Sequence, residues 1–390
     1  MNRTQSGPEE GRREGLRLGL EHGWRDGARL AAAAACPQAA PDPIDLRVLY
    51  VKQGFVAIDD GVAGALGRAV GELRVTGPDG MLAAAREMKP DLMLVLNGLH
   101  VFPEDHLRQA DAVRDLGIRT AIWFADDPYF TADTLAIAPH YDTVFTHERA
   151  ALELYRGTGC ADVRHLPFAA CRARFRPYPV PGGLRNDIVF IGQGFSSRIA
   201  LIDAIAPFLA ERRVFIAGGL WDRLAHYGLL KDAIRLGWLP VDESVDYYNG
   251  ASVVINMHRP TEPGDDNRND LGLEGRSINP RTFEIAACGA FQLTDIREDL
   301  TDFYRPGVEL ETYTGPDELA AKLAYYLEHP EERDRIAVRG LIRTLREHSY
   351  DARIGRMLAE LGYGAGSRAE GPQSGRREET AWLHKNAAQV

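Results

Sequence analysis

The order of apolar and polar stretches predicts an α/β protein made of two parallel-sheet units in tandem. Runs of strand length alternate with helical stretches over residues 44–178 and again over 184–362, and such alternation implies parallel sheets covered on both faces. Between them, residues 174–183 are rich in proline and glycine and poor in apolar residues, the composition of a domain boundary. At 390 residues and 45% hydrophobic content, the chain is long enough for two cores.

Residues 1–43 differ in character. Gly11, Gly15, Gly19, Gly23 and Gly27 recur every four residues among Arg, Glu and Leu. Wound as a helix, they make a glycine stripe that lets another backbone approach, which suits self-association through residues 11–30. The same glycines weaken a helix by about 1 kcal/mol each relative to alanine, which favours a disordered arm. Pro37, Pro41 and Pro43 read as a linker holding this arm off the body.

In the first unit, strands are expected at 46–51, 91–97, 120–124, 143–146 and 163–167. Helices are expected from Asp59 or Asp60 onward, over 104–116 and over 148–156. In the second unit, strands fall at 187–191, 214–217, 253–256 and 291–294, with helices near 197–210, 224–233, 244–248, 282–288, 318–327 and 331–347. Residues 363–390 are polar and read as a disordered tail.

A net charge of −10 offers no basic field to a nucleic acid. No apolar run reaches membrane-spanning length. Cys36, Cys160, Cys171 and Cys288 lack metal-ligand spacing and read as reduced thiols of a cytoplasmic protein.

The segment Ser277-Ile278-Asn279-Pro280-Arg281-Thr282-Phe283-Glu284-Ile285-Ala286-Ala287-Cys288-Gly289-Ala290 concentrates the chemistry. Pro280 fits a first helical turn, where its missing N–H costs nothing, and Gly289 fits the end. The helix start offers free N–H groups and a positive dipole end to a diphosphate. Glu284, nearly alone as a charge in this apolar stretch, either accepts from ribose hydroxyls or is a solvated surface acid. Gly192 and Gly194 follow a strand and open a helix, as a phosphate wrap does. Ser197 replaces the third glycine of a dinucleotide fingerprint, and the next strand ends in Gly218 and Gly219 rather than an acid, which argues against NAD. Arg198 stands at the helix start, either to neutralise a diphosphate or as a surface arginine. The polar loop 258–277 reads as an active-site loop. Its Asp265 and Asp266 invite a metal assignment, but no Asp-x-Asp motif occurs in the chain, and the expectation is no metal and no cofactor.

Several pieces in order resemble the spore-maturation CgeB-like glycosyltransferases, of GT-B fold. They are Phe190-Ile191-Gly192-Gln193-Gly194 with Arg198, Ala217-Gly218-Gly219-Leu220-Trp221, Leu236-Gly237-Trp238-Leu239-Pro240, Ser252-Val253-Val254-Ile255-Asn256, 278–289 and 347–353. The first half adds Phe124-Ala125-Asp126-Asp127-Pro128 and Leu166-Pro167-Phe168-Ala169. The resemblance implies two Rossmann-like domains facing a cleft: an acceptor side at 44–178 and a nucleotide-sugar side at 184–362. It implies transfer of a sugar from a nucleoside diphosphate to a protein or glycan of the spore or cell surface. Donor contacts are then expected at Gly192, Gly194, Arg198, Trp238, Asn279, Arg281, Thr282 and Glu284. Many related retaining enzymes carry a second glutamate where this chain has Arg276, so its donor contacts must come from elsewhere, with Asn279 and Arg281 at hand. An inverting reaction needs a base on the acceptor side. Asp126, Asp127 and His100 are the candidates, each just past a strand end, where ligands of open α/β sheets gather. Two other readings stand beside this one: a nucleotide-sugar epimerase of the same fold, and a non-catalytic scaffold.

Overall fold

The computed structural model describes residues 8–38, 42–262, 264 and 266–364. The first half runs α1 (Pro8–Ala34), β1 (Ile44–Val51), α2 (Val56–Ala69), β2 (Val70–Thr76), α3 (Met81–Met88), β3 (Leu92–Leu96), α4 (His106–Asp115), β4 (Arg119–Phe124), α5 (Thr131–Ile137), β5 (Thr143–Thr146), α6 (Ala151–Gly157) and β6 (Val163–His165). The second runs β7 (Asn186–Ile191), α7 (Ser196–Ala210), β8 (Val214–Gly218), α8 (Tyr227–Leu230), β9 (Ile234–Leu236), α9 (Val241–Gly250), β10 (Ala251–Asn256), α10 (Pro280–Ala287), β11 (Gln292–Asp295), α11 (Leu300–Phe303), β12 (Glu311–Tyr313), α12 (Pro316–Glu328), α13 (Pro330–Glu347) and α14 (Tyr350–Glu360).

Two six-stranded sheets result, in the orders β2-β1-β3-β4-β5-β6 and β12-β11-β10-β7-β8-β9, with every pairing parallel. Their inner strands are covered on both faces, which is why the sequence shows them as mostly apolar runs; all five residues of β3 are apolar and buried. Each sheet changes direction beside its first strand, between β1 and β3 and between β7 and β10. Crevices at such switch points are where open α/β sheets hold ligands. The two crevices face each other.

Several elements depart from the expectation. Strand β2 was not predicted because it is an edge strand, with one buried residue in seven and a glycine inside it. The helix expected at 224–233 shrinks to α8. Helix α14 closes the chain on the first unit rather than the second: it packs against α2, and Arg119 Nη1 donates to Leu361 O at 2.5 Å. Tyr350 of α14 meets Trp123 edge-on, and Trp123 stacks on Phe168 with centroids 4.6 Å apart.

The largest correction concerns the arm. Over the described residues 8–38 the arm is neither disordered nor held off the body: α1 and the turn after it dock on the second unit along Arg25, Arg29, Ala32 and Cys36. Ala32 and Cys36 pack with Leu341 and Leu345 of α13. Arg25 donates to Ala251 O at 3.1 Å and to Asn249 O at 3.2 Å, and Arg29 donates to Asn249 O at 3.4 Å. These carbonyls lie at the C-terminal end of α9, where the helix dipole favours a cation. Asp26 pairs with Arg29 and, at 2.8 Å, with Arg185. Arg29 also lies across Gly289, where a Cβ would sit 2.7 Å from its Cδ. The glycine stripe takes no part in this docking, since a Cβ at Gly15, Gly19, Gly23 or Gly27 would meet nothing within 4 Å. The tail beyond residue 364 lies outside the described residues.

Candidate functional site

A cavity of about 470 Å³ opens between the units, walled by the loops after β1, β4, β5, β7, β8, β9 and β10 and by the start of α10. Its second-unit wall brings two arginines together without a direct ion pair. Gly192 follows β7, and a Cβ there would lie 2.9 Å from Arg198 Nη1 and 3.4 Å from Arg281 Nη1. Only glycine leaves room for the two guanidinium groups to converge at this point. Arg198 spends its donors on the carbonyls of Gln193 (3.0 Å) and Met257 (2.6 Å), and Arg281 meets the Tyr248 hydroxyl. Neither forms an ion pair with a described carboxylate, and the Nε of each is buried without a partner. Burial, and then the charge of Arg281, hold Arg198 down to about 10, so both remain cations at neutral pH. Gly218, with φ of +145°, closes the same corner: a Cβ there would lie 2.0 Å from Gly192 O.

Helix α10 aims its N-terminus at this wall. Asn279 is its N-cap, and its side chain accepts from Thr282 N at 3.0 Å. Pro280 has no N–H to give, as expected of a first-turn proline. One turn on, Glu284 lines the cavity, and burial raises its carboxyl above the ordinary range against the pull of Arg281. Trp238 sits at the rim, 76% exposed, beyond Gly237, whose φ of +94° turns the chain into α9.

Gly192, Arg198, Trp238, Asn279, Arg281 and Glu284 therefore share one cavity. Two other expected donor residues do not line it. Thr282 is fully buried, its hydroxyl donating to Asn279 Oδ1 at 3.1 Å, and Gly194 is packed against the Leu220 carbonyl. Arg276 points outward to Glu274 and Glu298.

On the first-unit wall Asp126 is the satisfied group, whereas both ring nitrogens of His147 and Asp127 Oδ1 are buried without a hydrogen-bond partner. Asp126 lines the cavity, and its Oδ2 accepts from Asn97 Nδ2 and lies within hydrogen-bond distance of His100 Nε2, both at 3.0 Å. Asn97 Oδ1 in turn accepts from the N–H groups of Ala125 and Asp126. Asn97 and His100 both hold left-handed backbone, φ +63° and +59°, a strain that persists where surrounding contacts fix it. His100 stands behind Asp126 and meets the Phe130 edge at 4.9 Å rather than lining the cavity. Asp127 is corrected outright as an acceptor base. It is 1% exposed, bonded to Thr146 Oγ1, and pushed well above the carboxylate range by burial.

Two cavity residues escaped the sequence reading. His147 follows β5 and faces the cavity, with Asp127 Oδ1 at 3.4 Å from its Nε2; burial lowers it to about 4, so it is neutral. The rule that flagged Asp126, position just past a strand end, applies equally to His147. Arg259 lies 4.4 Å over the Tyr129 ring and donates to Asp266 O at 3.0 Å. The 258–277 loop fastens the two units: Arg268 N donates to Tyr129 O, and Glu148 accepts from the N–H groups of Arg276 and Ser277. Asp266 accepts from Ser196 N at 2.7 Å and so caps α7, while Asp265 lies outside the described residues. Among the described residues, no group of three His, Cys, Asp or Glu side chains is arranged to hold a metal.

Two Rossmann-like parallel sheets facing a cleft define the GT-B class of glycosyltransferase folds. Residues 198–359 match the family described as glycosyl transferase-like. The chain is similar to spore protein CgeB of Bacillus subtilis (strain 168), 29% identical over 268 residues, covering 67% of this chain and 80% of that one. Among solved structures, Anabaena Alr3699/HepE in complex with UDP-glucose superposes with a TM-score of 0.57 at 12% identity, over 81% of this chain and 99% of that one. A protein from Listeria monocytogenes described as a putative UDP-N-acetylglucosamine 2-epimerase follows at 0.52 and 12%, over 81% and 96%. At these identities the two structures speak for the fold. No helix among the described residues is long and apolar enough to cross a membrane.

Proposed function

We propose that the protein transfers a sugar from a nucleoside diphosphate donor, held on the second unit, to an acceptor entering along the first. The convergence of Arg198 and Arg281 on Gly192, with no carboxylate paired to either, carries this reading. Two unpaired cations beside a helix N-terminus fit a diphosphate, and they meet the charge that grows on the leaving group without a divalent ion or other cofactor. Glu284, one turn into α10, takes the ribose hydroxyls, and the Gly237–Trp238 turn meets the base. Asp126 and His147 face the reacting sugar from the first unit.

The presence of UDP-glucose in the Anabaena relative supports the donor class, and the name of the Bacillus relative supports an acceptor of the spore or cell surface. Four unpaired cysteines fit a cytoplasmic setting. Self-association through residues 11–30 is supported by the open glycine face of α1, and sedimentation of the full-length protein tests it. The Listeria fold relative keeps an epimerase as the second reading. The test is a panel of nucleotide sugars with and without spore or cell-surface acceptors. Nucleoside diphosphate released in step with acceptor glycosylation supports transfer. A rearranged or freed sugar without acceptor supports the epimerase, and no turnover of any donor contradicts both.

A further inference from the structure

The start of α10 is held from behind by a pair that touches no part of the cavity. His258 lies two residues beyond β10 and is 3% exposed; Asp295 ends β11. Asp295 Oδ1 accepts from His258 N at 2.9 Å and lies 2.6 Å from His258 Nδ1. On the other side of the ring, His258 Nε2 accepts the N–H of Asn279 at 2.9 Å. An imidazole nitrogen that accepts an N–H carries no proton, so the ring is neutral and its proton sits on Nδ1, facing Asp295. Arg297 approaches the other Asp295 oxygen at 3.4 Å, and, against burial, contact with His258 and then with Arg297 holds that carboxyl below its ordinary range.

Asn279 is the N-cap of α10, so the pair fixes the residue that sets where this helix begins. Its side chain is held as well, donating to Asn256 Oδ1 at 3.1 Å. With Pro280 lacking an N–H and the Thr282 N–H taken by the cap, the Arg281 N–H is the first-turn donor left to face an anion beside the two guanidinium groups.

We propose that His258 and Asp295 are positioning residues that hold the α10 N-terminus in register for the donor diphosphate, an inference that rests on the diphosphate reading above. A hydrogen bond from a backbone N–H to a phosphate oxygen depends steeply on angle and distance, so a small rotation of Asn279 misdirects it. The effect falls on the phosphates and leaves the nucleoside alone.

Two variants separate positioning from general stability. His258→Asn keeps a donor for Asp295 but has no atom to accept the Asn279 N–H, whereas His258→Gln places an amide oxygen near the old Nε2. The tightest of UDP, GDP, ADP, CDP and dTDP is titrated by calorimetry into the parent and both variants, alongside its free nucleoside. The expected result is a loss of about tenfold in diphosphate affinity for H258N, the scale of one charge-assisted hydrogen bond. H258Q should stay close to the parent, and nucleoside binding should be unchanged throughout. Equal diphosphate affinity in all three, or equal losses for nucleoside and diphosphate, overturns the relay. Failure of the parent to bind any of the five contradicts the functional reading itself, and the relay with it. The imidazole 15N resonances of the parent give a check that needs no variant: a neutral ring protonated on Nδ1 supports the relay, and an Nε2–H ring overturns it.

Discussion

At the cleft edge of the first sheet, Asp126 is held by Asn97 and His100, and Asp127 is bonded to Thr146. At the matching edge of the second sheet, Arg198 and Arg281 hydrogen-bond only to carbonyl or hydroxyl oxygens, and neither is in a direct ion pair with a described carboxylate, although the Glu284 carboxyl lies near enough for Arg281 to feel it. The two sheets share their topology, so the difference lies in the loops. A buried charge without a paired counter-charge is costly unless something else supplies one, and on the proposed reading that partner is the donor diphosphate. The first edge has no such deficit. Asp126 there is fixed in place, which suits orienting a neutral sugar or acceptor hydroxyl on the proposed reading. In the proposed function, one edge binds charge and the other sets geometry.

This contrast breaks most visibly at Arg281. Arg281→Met should weaken nucleoside diphosphate binding by about 3 kcal/mol, roughly a hundredfold, while relieving the repulsion with Arg198. Calorimetry together with a melting curve checks both; a variant that binds as tightly as the parent removes the anion from the account. Glu284→Ala should cost about 2 kcal/mol, roughly thirtyfold, in donor turnover without lowering the melting temperature. Normal turnover in a folded variant would withdraw the ribose role.

Removing residues 1–38 tests the docking of α1 on the far side of the second unit. The deletion uncovers Leu341 and Leu345 and strips the Asn249 and Ala251 carbonyls of their arginines. Loss of two such contacts should lower the melting temperature by about 5–10 °C. A truncated protein that melts with the parent would show that the helix is a passive appendage.

The smaller effects concern the first edge and the absent metal. The value for His147, lowered by burial to about 4, lies below the unfolded value of roughly 6.5. Between the two, the unfolded chain binds more protons, so this group withdraws stability as pH falls from about 6.5 to about 4. Its ring-carbon chemical shift should stay constant from about pH 7.5 to 5, and a midpoint near 6.5 would show that the ring is solvated. Smallest of all, EDTA should leave turnover unchanged. Inhibition reversed by magnesium or manganese would return a metal to the site.

Much of the fold was legible because parallel strands covered on both faces must be apolar throughout; β3, β4, β5, β7 and β10 stood out for that reason. Edge strand β2 was hidden by its exposed charges, and α1 by glycines that distract from the arginine face docking it. In the site, Pro280, Glu284 and Arg198 were legible from local chemistry, since a capped helix start and an arginine at a helix start announce themselves. Thr282 misled because a first-turn hydroxyl looks the same whether it faces a ligand or its own cap. His147 and Arg259 were missed because their roles depend on which loops meet across the cleft, and that is a property of the packed molecule.

The asymmetry between the edges is tested most directly by comparing Arg281→Met with Asp126→Asn in nucleoside diphosphate titrations of the full-length protein. If the second edge alone meets the charge of the diphosphate, R281M loses binding by roughly a hundredfold and D126N binds like the parent. Equal losses in the two variants, or a loss confined to D126N, would contradict that claim.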